Sequence, residues 1–254
     1  MRGVGFGSSG CPSTQAGTAG SGCALSAPSA TLVWFWYGTI TSMVVLIGGE
    51  KGGTGKSTIA TNLAAYLAAR NDDVVLLDAD AQATASRWVE RRNNSHPELP
   101  KVHCVQKTGD IFETIRDLST RYQQVIIDAG GRDSEELRSA MVAAQKLYTP
   151  LKASQPDLET TMNINQLVRL ACGLNPSLKA YAVISMAPTH PAITETQEAF
   201  ELLKELPEIK LSRVFIRNRK IFRDAMVEGK GVIECKNRKA KAEIELLAGE
   251  IYDG

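Results

Sequence analysis

Cysteine and histidine are scarce in this chain. Its 254 residues hold five cysteines, Cys11, Cys23, Cys104, Cys172 and Cys235, an odd number with no close pair. That usage argues for a reducing compartment, and against a disulfide framework or a compact thiolate metal site. The three histidines, His96, His103 and His190, are scattered, and two of them precede prolines. They read as loop residues, not as a histidine metal centre. Long apolar runs are missing too. The aromatic cluster in "TLVWFWYGTITS" (31–42) falls well short of the roughly 20 residues needed to cross a bilayer. A secretory leader wants a basic start joined to an uninterrupted apolar core, whereas Arg2 is separated from Leu32 by a long polar stretch. Charge imbalance is absent as well. The net charge is +1, so any electrostatic partner must be read from local patterning.

Residues 1–42 differ from everything after them. They are mostly Gly, Ser, Ala and Thr, with Arg2 as the only charge after the first residue. Such a segment buries too little to offset its ordering entropy. It reads as a disordered extension, either a real tail or an upstream stretch translated in error with Met43 as the start. From 43 to 254 no repeat or linker divides the chain, and the 43% apolar content of the whole suffices for a sizeable core.

Short apolar strands alternate with helices through that region. Strands are expected at 43–48, 72–80, 101–105, 122–131, 146–152, 179–186 and 213–216. Helices are expected at 56–70, 84–92, 109–119, 134–145, 157–172, 192–206, 219–228 and 239–248. Ile111, Phe112, Ile115 and Leu118 share one face at helical spacing. This alternation predicts an α/β fold, a mostly parallel sheet with helices on both faces.

The most informative stretch is "VVLIGGEKGGTGKSTIATNLAAYL" (44–67). A strand, a glycine-rich turn and Gly-Lys-Ser opening a helix hold phosphates. Unpaired amides at the helix start point at the ligand and the glycines let the backbone wrap it. Lys56 is placed to reach β- and γ-phosphates and Ser57 to put its hydroxyl on magnesium, with Thr58 next in the helix. Gly52, Gly53, Thr54 and Gly55 form the cradle. A dinucleotide-binding loop is disfavoured because G-x-G-x-x-G is absent. One feature departs from the usual G-x-x-x-x-G-K-[ST] loop. Its first glycine is replaced by Glu50, and Lys51 follows. A second lysine so close to the phosphates is costly unless triphosphate offsets it or it points elsewhere.

K-G-G-x-G-K-[ST] resembles the deviant Walker A loop of the ParA/MinD superfamily of dimerising P-loop ATPases. The resemblance covers 43–254 and implies that Lys51 reaches across a homodimer interface to the partner's phosphates. It also implies ATP and Mg2+ as cofactors. Asp128, ending the strand "QVIID", is where a Walker B carboxylate belongs. "DADAQ" (78–82) is similar to the family's D-x-D-P-Q switch segment with Ala81 in place of proline. That match makes Asp80 the acid near magnesium and attacking water, and Asp78 the more structural one. "DAGGRDS" (128–134) fits the second switch, with Gly130 and Gly131 able to respond to the γ-phosphate. No strong general base stands out, and the resemblance implies a slow switch that a partner stimulates, so slow turnover is expected. Matching the segments that flank adenine in the family points to Met186 and Pro188, and to Ile216 and Arg217. Core packing is the competing reading for Met186 and Ile216.

Between Arg213 and Lys241, ten basic residues face three acids, a local excess of seven charges in a nearly neutral chain. That patch predicts salt-sensitive, sequence-independent binding to DNA phosphates. A merely solvated basic face is the alternative. "FIRNRKIFRDAMVEGKGVIE" is similar to the C-terminal region of small plasmid-partition ParA proteins. The similarity implies DNA contacts at Arg219, Lys220 and Arg223. MinD-like relatives end in a basic membrane helix, whereas "EIELLAGEIYDG" is acidic and offers none. The expected protein is therefore cytoplasmic and nucleoid-associated, without a membrane partner. ATP would close a DNA-binding homodimer that drives plasmid or chromosome partition with a ParB-like or small centromere-binding protein. Two other readings stay open: positioning of a protein cargo by the same machine, and an ATP-gated scaffold with negligible turnover.

Overall fold

Alternation within each strand explains the layering. In the computed structural model, which describes residues 42–152, 158–189 and 206–253 together with Glu201 and Leu203, seven strands form one sheet. They are β1 (Met43–Ile47), β2 (Val74–Ala79), β3 (His103–Gln106), β4 (Gln124–Ala129), β5 (Lys146–Lys152), β6 (Lys179–Ala187) and β7 (Ile209–Arg217). Their order is β3-β2-β4-β1-β5-β6-β7 and every neighbouring pair is parallel. Val44, Leu46, Val75, Leu77, Val125 and Ile127 face one apolar layer, while Val45, Ile47, Val74, Leu76 and Ile126 face the other. A parallel sheet covered on both sides needs both sets apolar.

Helices α3 (Phe112–Arg121), α4 (Glu135–Ala143) and α5 (Leu158–Leu174) contribute to the first layer. Helices α1 (Lys56–Ala69), α2 (Thr84–Ser95), α6 (Lys220–Glu228) and α7 (Arg238–Tyr252) build the second. The α/β fold expected from the sequence is thus observed. The expected extension 1–42 lies almost wholly outside the described residues, as does most of the helix expected at 192–206.

α1 has buried residues on nearly every side, because it lies between the sheet and the helices α2 and α7. Its Asn62 carboxamide oxygen accepts the Val232 amide at 2.7 Å, fixing the short 3-10 turn Val232–Glu234 between α6 and α7. α2 holds the same turn from the other side. Fully buried Arg92 forms two bonds to Glu234, and the Trp88 indole donates to the Lys230 carbonyl.

β1 lies between β4 and β5, so the chain leaves it at the sheet's central crevice. Register aligns Ile47 with Asp128 and Asp128 with Asp78. The carboxyl ends of three adjacent strands therefore deliver the glycine turn and both acid-bearing segments to one place.

Candidate functional site: a phosphate cleft at the end of β1

Gly55, immediately before α1, has φ +91°, a conformation that glycine adopts without strain. It allows the turn to fold over the helix start. Thr54 is buried, and its carbonyl accepts the Ser185 hydroxyl at 2.6 Å, pinning the turn to β6. Lys56 is only 7% exposed, and its ammonium donates to the Lys51 carbonyl at 2.8 Å. Burial lowers its pKa from the usual lysine value, while Asp128 and Asp80 pull it back up.

A cleft of about 740 Å3 opens here. Gly52, Gly53, Gly55, Lys56, Ser57 and Thr58 line one side, and Asp80, Gly130 and Arg132 lie across from them. Gly131 packs so tightly on the turn that a Cβ there would come within 2.9 Å of the Gly52 backbone. The second glycine segment is therefore in direct contact with the first.

The three acids have separate environments. Asp78 is fully buried, and its two oxygens accept the amides of Asp80 and Ser86, so it ties the segment 80–86 to β2. Asp80 sits against Gly130 and accepts the Gln82 amide at 2.9 Å. Asp128 is 1% exposed, and among the described residues neither carboxylate oxygen has a partner within hydrogen-bond geometry. Burial pushes its pKa up to about 7; the neighbouring Ser57 hydroxyl and Lys56 oppose the shift, and Asp78 and Asp80 reinforce it.

Among the described residues no three His, Cys, Asp or Glu side chains cluster to cage a metal. Magnesium does not need such a cage, since it takes one or two carboxylates and completes its shell with phosphate and water. Orphaned oxygens on Asp128, a hydroxyl on Ser57 and a second carboxylate on Asp80 form the hard oxygen donor set that suits it.

Lys51 lines an adjoining depression of about 680 Å3 with Glu50, Asp133, Arg138 and residues of α5, and this depression shares Gly52, Gly131 and Arg132 with the cleft. The two lysines that flank the glycines thus face different spaces.

The residues expected around a base are partly gathered. Met186, Ile216 and Arg217 line a pocket of about 120 Å3 beside Gly55 and Thr58. Pro188 is exposed and lines neither this pocket nor the cleft. Ile216 is a core residue at 4% exposure, whereas Met186 is exposed and lines both spaces. Met186 also has φ +52°, an uncommon conformation for a side-chain-bearing residue, where the β6–β7 register shifts.

The expected DNA residues also separate. Lys220 and Arg223 are exposed, but the Arg219 guanidinium is held by buried Glu243 at 3.0 and 2.7 Å. Sequence reading missed Arg132 and Glu136 as cleft residues. Arg132 adjoins the quoted glycines, which was a usable signal. Glu136 enters because its carboxylate accepts the Gly109 amide at 2.7 Å, a contact across 27 residues that no local pattern shows. Among the described residues no helix is long and apolar enough to cross a membrane.

Comparison with known proteins agrees with this geometry. Residues 45–232 match the CobQ/CobB/MinD/ParA nucleotide binding domain. A maintenance of carboxysome distribution protein A from Gloeobacter kilaueensis is 30% identical over 213 residues, covering 82% of this chain and 93% of that one. Its namesake from Halothiobacillus neapolitanus is 25% identical, covering 83% and 96%. The chromosome-partitioning ATPase Soj of Thermus thermophilus is 28% identical over 170 residues, 55% of this chain and 67% of Soj. Among solved structures, apo McdA from Cyanothece superposes with a TM-score of 0.68 at 16% identity, covering 83% and 99%, a likeness of fold. The chain belongs to the CobQ/CobB/MinD/ParA nucleotide-binding family.

Proposed function

We propose that the chain is a homodimerising ATPase that positions a protein cargo over non-specific DNA. The observation that carries the reading is the division of labour between lysines. Lys56 lies in the cleft with Ser57, Asp80 and Asp128, while Lys51 faces an adjoining depression from which it can serve a partner's nucleotide. Lys56 and the amides of Gly52 to Thr58 would grip the phosphates, and Ser57, Asp80 and Asp128 would hold Mg2+. When bound, the metal would screen phosphate charge and polarise the γ-phosphoryl group. Met186 and Arg217 would flank the base. All of this resides in residues 43–254, so deleting residues 1–42 should leave ATPase activity and solubility essentially unchanged, and a large loss of either would make the extension part of the fold.

Cargo positioning is preferred to partition because two relatives named for carboxysome distribution align over nearly their whole length. Plasmid or chromosome partition is the second reading, supported by the shorter match to Soj. ATPase turnover and DNA retention, measured with and without the product of the neighbouring gene, test the proposal. A cargo adaptor that stimulates turnover and releases DNA supports positioning. Stimulation by a centromere-binding protein replaces it with partition, and no ATP turnover under any condition defeats both.

A further inference from the structure

Arg132 follows Gly130 and Gly131 and is exposed at the boundary of both spaces, lining the phosphate cleft with Lys56, Ser57 and Asp80 as well as the depression that Lys51 lines. Its position is built rather than loose, because Gly131 lies directly on Gly52, with no room for a Cβ. The residue next along the chain therefore starts from a point fixed against the phosphate turn.

Its charge is also uncommitted. Asp133, the nearest acid in sequence, receives two hydrogen bonds from Arg138 at 2.6 and 2.5 Å. Arg132 itself makes no hydrogen bond or ion pair among the described residues. Lys56, the other cation of the cleft, is buried, bonded to the Lys51 carbonyl and in the field of two carboxylates. An exposed, planar guanidinium fork beside such a site suits the oxygens of a phosphoryl group.

We infer that Arg132 is a phosphate-directed cation for the nucleotide held by its own subunit, stabilising the γ-phosphoryl group as it transfers. The inference rests on the ATPase reading above. In the reaction a water oxygen bonds to the γ-phosphorus as its bond to the β–γ bridging oxygen breaks. The bonding electrons leave with ADP, and the water proton passes to phosphate or solvent. Arg132 keeps its proton throughout and offers N–H donors to the equatorial oxygens, where charge is spread in the transition state.

The test compares the full-length wild type with Arg132→Ala and Arg132→Lys. Arg132→Ala is expected to lower kcat by about 10²-fold, the usual cost of removing a transition-state donor. Affinity for ATPγS should stay within about threefold, and binding of ADP–aluminium fluoride should weaken by more than about tenfold. Arg132→Lys should recover part of kcat, because charge returns without the fork. Equal binding of ADP–aluminium fluoride by wild type and Arg132→Ala overturns the inference whatever the turnover. A wild type without turnover defeats the ATPase reading, and the aluminium fluoride comparison still decides the role of Arg132. Mixing Arg132→Ala with Lys56→Ala should restore nothing. Recovered turnover would mean that Arg132 serves the partner's nucleotide, overturning the assignment to its own subunit.

Discussion

Lys56 and Lys51 are joined side chain to backbone, the ammonium of the first donating to the carbonyl of the second at 2.8 Å. The contact uses no side-chain atom of Lys51, which lines the outer depression instead. Substituting Lys51 therefore leaves the anchor of Lys56 in place. Lys51→Ala should bind ATP within a few-fold of wild type yet fail to dimerise in light scattering with ATP. Lys56→Ala should lose ATP affinity itself. Normal ATP-dependent dimers of Lys51→Ala would remove the cross-subunit role.

Asp128 gives a pH dependence whose sign is opposite to that of most carboxylates. Its pKa is about 7 in the fold and near 3.8 in an unfolded chain. Between those values the native state holds a proton that the unfolded state has lost, so stability falls as pH rises through this window and levels off above it. Asp128→Asn cannot ionise and escapes the fall. In metal-free buffer it should match wild type near pH 4 and exceed it at pH 8, by on the order of 4 kcal/mol. Urea denaturation across that range measures the difference. Parallel curves for the two proteins would show that Asp128 is not strained by its burial.

Arg92 and Glu234 form a buried fork, with bonds of 2.8 and 2.6 Å, and the Arg92 Nε also donates to the Pro100 carbonyl. Removing the cation leaves Glu234 only partly satisfied, through its bond from the Gly231 amide. Breaking one side of a buried pair costs about 3–5 kcal/mol, so Arg92→Ala should approach the edge of folding. Arg92→Met combined with Glu234→Leu should recover most of that loss. Denaturant midpoints for the single and double variants settle the point, and a single-variant loss below about 1 kcal/mol would contradict it.

Sequence pattern reached the parts of this molecule that are local. The strand expected at 146–152 is observed with those bounds, and the glycine turn, Asp78, Asp80 and Asp128 lie together at the strand ends. Boundaries moved where tertiary contacts overruled composition. β7 begins at Ile209, not 213, because Ile209 and Leu211 pair with Ala180 and Ala182 along β6. α7 continues past Gly249 to Tyr252, since Ile251 is buried and the Lys146 ammonium meets its carbonyl. The Arg92–Glu234 fork spans 142 residues, and nothing in either flanking sequence announces it.

The basic end illustrates the same limit, and it sharpens the DNA experiment. Composition alone treats Arg219, Lys220 and Arg223 as equivalent. In the fold, Arg219 is 16% exposed at its side chain and paired with Glu243, which also accepts the Arg217 amide at 3.1 Å. Lys220 is 80% exposed and, among the described residues, paired only with Asp224 on the next turn of its own helix, a contact weak enough for phosphate to displace. Arg223 is exposed one turn further on. Lys220→Ala with Arg223→Ala should therefore weaken non-specific DNA binding, flatten its dependence on salt, and spare both stability and nucleotide affinity. Arg219→Ala should instead lower stability by about 1–3 kcal/mol, because it strips a buried carboxylate of its principal partner. Salt titrations of DNA retention alongside denaturation curves separate the two effects. If the double variant binds DNA like wild type while Arg219→Ala does not, the contact surface lies around Arg219, and its pairing with Glu243 must open for DNA to bind.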